Sequence, residues 1–145
     1  MEHSAGLIPF RKNKNNELEF FVGHPGGQNW NPYWAFLKGG INEDENTFEA
    51  ALREFGEESG VIFKDVTSED VISLGSVQQN RHKIVTAFGI EFPYINPEDC
   101  FSNLCEDGIT PEIDKYKWMT YEELKDITHK KHLVFYQQLL DLIQN

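Results

Sequence analysis

The sequence predicts an α/β fold in which a mixed β-sheet is flanked by helices. Strand-like segments occur before, between and after two helical segments, and several neighbouring strands are close enough in the chain to form antiparallel hairpins. A doubly wound parallel sheet would instead need a helix between most successive strands. The 145 residues are a typical length for one domain, and we expect residues 1–145 to form a single domain.

The predicted strands are segments rich in apolar, β-branched or aromatic residues. They are residues 5–10, 18–23, 33–37, 71–77, 83–92 and 116–119. The first two are separated by a turn-rich segment and predict a hairpin. The third stops at Lys38-Gly39-Gly40, which predicts a turn there.

Two helices are predicted from periodicity and capping signals. The clearer one runs from residue 47 to about Ser59, with Asn46 or Thr47 as its N-cap and Gly60 where a helix stop is expected. A second, amphipathic helix covers residues 132–143. Thr120, which precedes Glu122 and Glu123, is a further candidate helix cap.

The charge of the chain limits what it can bind unaided. The net charge is −11 and the pI is near 4.8, so a broad electrostatic contact with nucleic acid is not expected. A polyphosphate substrate would meet the same repulsion and would need cations between itself and the protein. No signal-like or membrane-spanning run occurs, so we expect a cytoplasmic protein that binds no membrane.

Three glutamates share one face of the helix predicted at residues 47–59. Its apolar residues recur at helical spacing and form a buried stripe. Glu54, Glu57 and Glu58 then lie within an arc of roughly 100°. Like charges at this spacing repel, and carboxylates disfavour the C-terminal half of a helix. The cluster therefore favours a bound hard cation, and the alternative is a solvated acidic face.

The surroundings of these glutamates strengthen the metal hypothesis. Arg53 is four residues from both Glu49 and Glu57, so its guanidinium can brace an acid on either side. Gly39 and Gly40 lie just ahead of the helix and allow close approach of the backbone to whatever the acids bind.

As one pattern, these residues resemble the box that defines the Nudix hydrolase family. The pattern is Gly39, five residues, Glu45, seven residues, and then Arg53 to Val61 as REFGEESGV. Phe55 is the one soft departure, since the family more often has an aliphatic residue there. The flanking SAGLIPFR, VGHPGG, FLKGGINEDE and PEIDKYKWM also resemble a bacterial branch described as predicted NTP pyrophosphohydrolases. The resemblance implies a Nudix-type α/β/α sandwich, with the mixed sheet between helices.

The resemblance also implies roles for individual residues. Glu54, Glu57 and Glu58 would ligate divalent metal, with Gly39 contributing its carbonyl oxygen. Arg53 and Glu45 would support them, and the alternative is a plain surface ion pair.

The catalytic base is left open by the resemblance. It would be Glu57 or Glu58, or else an acid on a later loop, for which Glu112 is the first candidate and Asp114 the second. A solvated loop acid is the alternative for Glu112.

Substrate-binding candidates lie outside the helix. Arg81, with His82 and Lys83, would contact phosphate or base, unless the three are simply a polar hairpin tip. One of Trp30, Trp34 and Phe36 would stack on a nucleobase, with core packing as the equal alternative. Lys38 is a further substrate-binding candidate. His129 and His132 are interpreted as surface residues and are assigned no role.

The predicted function is hydrolysis of a phosphoanhydride bond in a nucleoside diphosphate linked to X. The cofactor would be Mg²⁺, with Mn²⁺ as a substitute, and the first substrate candidate is a nucleoside triphosphate. Dinucleoside polyphosphates, nucleotide sugars and ADP-ribose are alternatives, and a catalytically silent nucleotide-sensing domain is the alternative of another class. RNA 5′-end processing is disfavoured by the lack of a basic path. We expect a small-molecule nucleotide partner, no nucleic acid, and a monomer or homodimer.

Overall fold

A computed structural model describes residues 1–144, which form a six-stranded mixed sheet and three α-helices. The strands are β1 (Glu2–Lys12), β2 (Leu18–Pro25), β3 (Leu37–Gly40), β4 (Ile72–Asn80), β5 (Lys83–Glu91) and β6 (Ile113–Thr120). The helices are α1 (Thr47–Ser59), α2 (Tyr121–Leu124) and α3 (Leu133–Ile143). Short 3₁₀ turns cover Ser68–Asp70, Pro97–Asp99 and Lys130–His132.

Strand β1 lies at the centre of the sheet. The strand order is β4-β5-β1-β2-β6, and β3 pairs with β1 off this path. The β1–β5 pair is parallel, while the β1–β2, β1–β3, β2–β6 and β4–β5 pairs are antiparallel. On one edge β1 pairs with β3 through residues 4–7 and with β2 through residues 10–12. The predicted mixed sheet and the predicted hairpins are confirmed.

Helices cover both faces of the sheet. Successive β1 side chains point to opposite faces, so β1 contributes to the apolar core on each side. On one face Ala5 and Leu7 belong to the apolar cluster that includes Phe55 of α1. On the other face Ile8 and Phe10 pack in the cluster that includes Phe135 and the neighbouring side chains of α3. This arrangement is the expected α/β/α sandwich.

Helix α1 begins and ends where the sequence predicts. Asn46 is the N-cap and forms a capping box with Glu49, in which each side chain accepts from the other residue's backbone N–H. Gly60 ends the helix in the left-handed conformation, with φ of 79°, and its N–H donates to the Gly56 carbonyl. Thr120 likewise caps α2 with Glu123, as expected. In the described part of the chain, the helices are too short and too polar to cross a bilayer.

The third strand lies later in the chain than predicted. Residues 33–36 make one isolated bridge, at Ala35, whereas the strand proper begins at Leu37 and runs to Gly40. The predicted turn at Lys38-Gly39-Gly40 is therefore wrong, because Gly39 and Gly40 pair with Ala5 and Ser4 of β1. A side chain at Gly39 would overlap the Glu54 carboxylate, so glycine lets this strand pass close over α1.

Candidate functional site

The acidic face of α1 is more buried than a solvated helix face would be. Glu58 is only 6% exposed, which argues against the alternative of a solvated acidic face at this residue. The Glu54 side chain is 13% exposed, and that of Glu57 is 38% exposed. Phe55, which is fully buried, anchors this part of the helix against the sheet. The packing that buries Phe55 thus brings the neighbouring acids beneath strand β3.

Arg53 connects these acids to the loop before the helix. Its Nη1 atom donates to Glu54 at 2.8 Å and to Glu57 at 3.0 Å. Its Nη2 atom donates to Glu45 at 2.6 Å and to the Gly40 carbonyl oxygen at 2.7 Å. Glu49 and Glu57 are each four residues from Arg53, and Arg53 hydrogen-bonds to Glu57. Glu49 instead forms the capping box with Asn46. One guanidinium therefore fixes the relative positions of three carboxylates and the end of β3.

The ion pair between Arg53 and Glu45 shifts the pKa of both groups. Hydrogen bonds from Arg53 are the main cause that lowers the pKa of Glu45. The same bonds, followed by those to Glu54 and Glu57, raise the pKa of Arg53 despite partial burial. Both groups consequently stay ionised at neutral pH, and a structured network replaces the simple surface ion pair that was the alternative.

Glu54 lies directly against the backbone of β3. Burial raises its pKa, and the charges of Glu57 and Glu112 add to this effect, although Arg53 opposes it. A Cβ atom at Gly39 would overlap the Glu54 carboxylate. The glycine therefore allows a carboxylate and a strand backbone to share one small volume.

Glu58 has the most perturbed carboxyl group of the helix. Burial, followed by the charges of Glu54 and Glu112, raises its pKa to about 8. The positive charge and the backbone N–H of Lys38 oppose this shift. Burial also lowers the pKa of Lys38 to about 8, with the charge of Lys83 as the next cause. Lys38 is thus the basic group that faces the buried acid.

Glu112 reaches the acids of α1 through a connected loop. The backbone N–H of Asn103 donates to the Glu57 carbonyl oxygen at 2.8 Å, and the Asn103 carbonyl accepts from the N–H of Glu112 at 2.9 Å. The N–H of Gly26 donates to the Glu112 carbonyl at 2.8 Å. Burial is the main cause that raises the pKa values of Glu54 and Glu58, and the negative charge of Glu112 adds to it in both. Of the two loop candidates, Glu112 is the one that the structure brings to the helix.

Asp114, the second loop candidate, is engaged elsewhere. Its Oδ1 atom lies 2.9 Å from Nδ1 of His24, a buried side chain whose Nε2 atom lies 2.6 Å from the Asn31 carbonyl oxygen. The His24 ring also contacts Trp34. Asp114 therefore fixes the segment that precedes β3 and is not gathered with the acids of α1.

The carboxylates as they stand do not form a closed metal cage. Among residues 1–144, no three His, Cys, Asp or Glu side chains are grouped so that they could hold one ion together. The Nη1 atom of Arg53 hydrogen-bonds to both Glu54 and Glu57. The oxygen-only donor set nevertheless suits Mg²⁺, which in proteins usually takes one or two carboxylates and keeps several waters.

The residues predicted to bind substrate lie in different environments. Phe36 is 1% exposed and packs edge-on against Phe135 of α3, so the proposal that it stacks on a base is wrong. Trp34 is partly buried and lines a cleft together with Lys38. Arg81 is exposed at the turn between β4 and β5, next to Lys83, whose charge acts on Lys38. Trp30 is 78% exposed.

Some residues that shape the site were missed by the sequence analysis. Asn103 acts through backbone atoms alone, which a sequence pattern does not show. Tyr116 donates its hydroxyl to the Glu58 carbonyl at the end of α1. His132 is 2% exposed, which corrects its interpretation as a surface residue.

The burial of Glu58 predicts an unusual pH dependence of stability in EDTA. Its pKa of about 8 in the folded protein lies above the ordinary value of 4.5 for a glutamate, so between these values the folded state holds more protons than the unfolded state. Stability should therefore fall as the pH rises from about 4.5 to about 8. Glu58→Gln removes this charge, and we expect the variant to be more stable than the parent at pH 8 and little changed at pH 5.

Urea unfolding in EDTA at the two pH values measures this difference. Glu43→Gln, at an exposed acid in the loop before α1, is the matched control and should show no such pH-dependent gain. An equal gain in both variants would mean that general relief of negative charge, and not burial of Glu58, sets the stability.

Comparison with known proteins identifies the family. The NUDIX domain family matches residues 4–139. The chain is 30% identical over 124 residues to an RNA pyrophosphohydrolase of Bartonella clarridgeiae, covering 77% of this chain and 70% of that protein. It is 24% identical over 104 residues to the m7GpppN-mRNA hydrolase of Saccharomyces cerevisiae, covering 71% of this chain and 10% of the yeast protein.

Solved structures share the fold. A C. elegans Ap4A hydrolase binary complex superposes with a TM-score of 0.68 at 18% identity, covering 99% of this chain and 98% of that chain. The NUDIX domain of Shewanella oneidensis NrtR, solved with ADP ribose, gives a TM-score of 0.71 at 13% identity, covering 98% of this chain and 88% of that chain. Together with the match over residues 4–139, these findings confirm the resemblance and the predicted fold, and the chain belongs to the NUDIX domain family.

Proposed function

We propose that this chain is a divalent-metal-dependent pyrophosphohydrolase that cleaves a phosphoanhydride bond in a nucleoside diphosphate linked to X. The observation that carries the proposal is the convergence of Glu54, Glu58 and Glu112, in which burial first, and then the charges of neighbouring acids including Glu112, raise the pKa values of Glu54 and Glu58. In a protein with a net charge of −11, buried carboxylates that repel one another favour a cation. A diphosphate needs the same cation to approach them.

The metal would be held by the acids of α1 and the backbone of β3. Glu54, Glu57 and Glu58 supply carboxylate oxygens, and Gly39 supplies its carbonyl oxygen. Mg²⁺ is the expected ion and Mn²⁺ its substitute, since both prefer oxygen ligands. When bound, such an ion neutralises phosphate charge and lowers the pKa of a water molecule.

Arg53 and Glu45 would position these ligands. Arg53 holds Glu54 and Glu57 through one nitrogen atom and Glu45 through the other two. Arg53 therefore limits the carboxylates to a few orientations, which is the preorganisation that charge stabilisation requires.

The proton acceptor for the attacking water would be one of three glutamates. Glu57 and Glu58 are on the helix, while Glu112 approaches from the loop that Asn103 fixes. All three are close to the proposed metal ligands or are among them. A base acts best when its pKa is near the working pH, and burial raises that of Glu58 to about 8 in the absence of metal.

The substrate would extend from the acids toward Lys38 and Trp34. Lys38 faces Glu58 and lines the neighbouring cleft, so its ammonium group can contact a phosphate. Trp34 lines the same cleft. Arg81, on the turn next to Lys83, would meet the outer part of X. A nucleoside triphosphate, which fits this short span, is the first candidate.

The 5′-triphosphate end of RNA is a second candidate substrate. It is supported by the similarity to the Bartonella relative, which is named RNA pyrophosphohydrolase. The reactive group is the same, so the proposed metal site would serve either substrate. The net charge of −11 argues against a long RNA contact. If RNA is the substrate, recognition would then be confined to its first nucleotides.

A substrate screen tests the proposal. Nucleoside triphosphates, dinucleoside polyphosphates, nucleotide sugars, ADP-ribose and a 5′-triphosphorylated oligoribonucleotide are incubated with Mg²⁺, Mn²⁺ or EDTA, and phosphate and pyrophosphate are measured separately. We expect metal-dependent cleavage of at least one class. Binding of these nucleotides without any cleavage would indicate the silent sensing domain instead.

A further inference from the structure

The last turn of α1 is capped by groups from outside the helix. The final carbonyl oxygens of an α-helix have no partner within the helix, and leaving one buried without a donor destabilises the protein. Three of these carbonyls accept hydrogen bonds from a later part of the chain: Glu57 from the Asn103 N–H at 2.8 Å, Ser59 from the Phe101 N–H at 3.1 Å and Glu58 from the Tyr116 hydroxyl. The turn that carries Glu57 and Glu58 is therefore held by the loop between β5 and β6 and by β6 itself.

Tyr116 is the member of this set that acts through its side chain. It lies in β6 opposite Gly23 of β2, and its ring stacks on Phe21 with the ring centroids 5.9 Å apart. Phe21 in turn packs against Phe55 of α1, with the centroids 5.8 Å apart. A tyrosine side chain has only two rotatable χ angles, so packing of the ring against this apolar cluster also fixes the direction of the hydroxyl.

The position of Tyr116 connects two parts of the proposed site. Glu112 immediately precedes β6, and Tyr116 lies four residues later, within that strand. The Tyr116 hydroxyl therefore joins the strand that follows Glu112 to the helical turn that carries Glu57 and Glu58. Its O–H dipole also offsets the partial negative charge at the C-terminal end of the helix, where carboxylates are otherwise disfavoured.

We propose that Tyr116 is a positioning residue of the metal site, whose hydroxyl holds Glu57 and Glu58 in the orientation that binds the divalent cation. The proposal rests on the proposed function and adds a residue that acts only through the acids. Without this hydroxyl the Glu58 carbonyl would lose its cap, and the last turn of α1 would loosen. Ordering the turn would then oppose metal binding, so the cation would bind more weakly.

Metal binding by the Tyr116→Phe variant tests this assignment. The dissociation constant for Mn²⁺ is measured by electron paramagnetic resonance without substrate, and the Mg²⁺ dependence of turnover is measured separately. We expect the dissociation constant to rise about three- to tenfold, the effect of one hydrogen bond, while KM for the substrate at saturating Mg²⁺ stays near the parental value. Replacing Tyr116 by 4-aminophenylalanine restores a donor at the same place and should recover most of the affinity.

A second measurement needs no metal. In EDTA, amide hydrogen exchange at Asn103 reports on opening of the helix end, because this N–H donates to the Glu57 carbonyl. We expect it to exchange about three- to tenfold faster in Tyr116→Phe. The Ala50 N–H, which donates to the Asn46 carbonyl at the other end of α1, is the internal control and should be unchanged. Equally faster exchange at both positions would show a general loss of stability and would contradict the proposal.

Tyr121→Phe is the matched control variant. The Tyr121 hydroxyl accepts a hydrogen bond from the Gln137 side chain at 2.9 Å, which joins α2 to α3 and not to α1. This variant should keep parental Mn²⁺ binding and parental exchange at Asn103. Parental Mn²⁺ affinity in Tyr116→Phe, or an equal loss of affinity in Tyr121→Phe, would overturn the positioning role.

The failures of the two proposals are distinguishable. Mn²⁺ binding that Tyr116→Phe weakens, without hydrolysis of any substrate, would support the positioning role and contradict the proposed function. Metal-dependent hydrolysis together with parental Mn²⁺ affinity in Tyr116→Phe would support the function and overturn the positioning role. A parent protein that binds no Mn²⁺ would overturn both.

Discussion

Replacing Glu58 or Glu57 by Gln is expected to lower metal-dependent turnover by at least about 100-fold, as removal of a preorganised charge-stabilising group typically does. Glutamine keeps the size of each side chain and removes the negative charge that would hold the cation. The larger loss is expected for Glu58, because it is buried among Glu54, Glu112 and Lys38 and solvent cannot replace it. Steady-state kinetics over a range of Mg²⁺ concentrations measures the effect.

Glu43→Gln is the matched control, since Glu43 is an exposed acid in the loop between β3 and α1. It should keep parental kinetics. The folded state of Glu58→Gln is verified by its stability in EDTA, which should rise at pH 8. Near-normal Mg²⁺-dependent turnover in Glu57→Gln or Glu58→Gln would contradict their assignment as metal ligands.

Replacing Arg53 by Lys is expected to lower turnover by roughly 100-fold although the positive charge remains, since small displacements of catalytic groups have effects of this size. A lysine has one nitrogen atom, whereas Arg53 uses Nε, Nη1 and Nη2 to reach Glu45, Glu54, Glu57 and Gly40. We expect kcat to fall more than KM rises, because the ligands lose their relative positions. The free energy of unfolding should fall by about 1 to 2 kcal/mol, toward the low end for charged hydrogen bonds because Arg53 is partly exposed.

Arg11→Lys provides the comparison for this effect. Arg11 also pairs with a glutamate, Glu19, and its guanidinium lies over the Trp118 ring. It therefore has a similar local environment but no contact with the acids of α1. A similar loss of turnover in both variants would show that Arg53 acts through general stability and not through the positions of the acids.

Local sequence signals predicted the elements that local physics determines. Helix α1 is one example, because Asn46 and Gly60 specify its ends and its apolar stripe specifies its buried face. Helical periodicity also predicted that Glu54, Glu57 and Glu58 lie on one side of the helix. The hairpin of β4 and β5 was likewise predicted, since its turn lies within a few residues of both strands.

Contacts between distant parts of the chain could not be predicted in this way. The parallel pairing of β1 with β5 joins residues about 80 positions apart, as in Ser4 with Val85, and leaves no local pattern. Phe36 and Leu37 are both buried, on opposite faces of the sheet, so alternation alone did not show which face Phe36 takes. The sequence therefore allowed Phe36 either to stack on a base or to pack in the core, and its contact with Phe135 shows that it packs in the core.

The burial of His132 did have a sequence signal that was given too little weight. His132 precedes Tyr136 and Leu139 by four and seven residues, so it continues the apolar stripe of α3 one turn earlier. A histidine at the start of a helix was interpreted as a surface residue because of its polarity. Periodicity was the better guide to its position.

The loop of residues 100–112 should differ from the rest of the site in how it responds to sequence change. Asn103 joins Glu57 to Glu112 through its own N–H and carbonyl groups, and its side chain takes no part in either bond. Many side chains could therefore occupy position 103 without moving Glu112. One residue inserted or deleted on either side of Asn103 would instead shift the adjoining bond out of register, so the length of this loop, more than its composition, determines whether Glu112 arrives beside the helix.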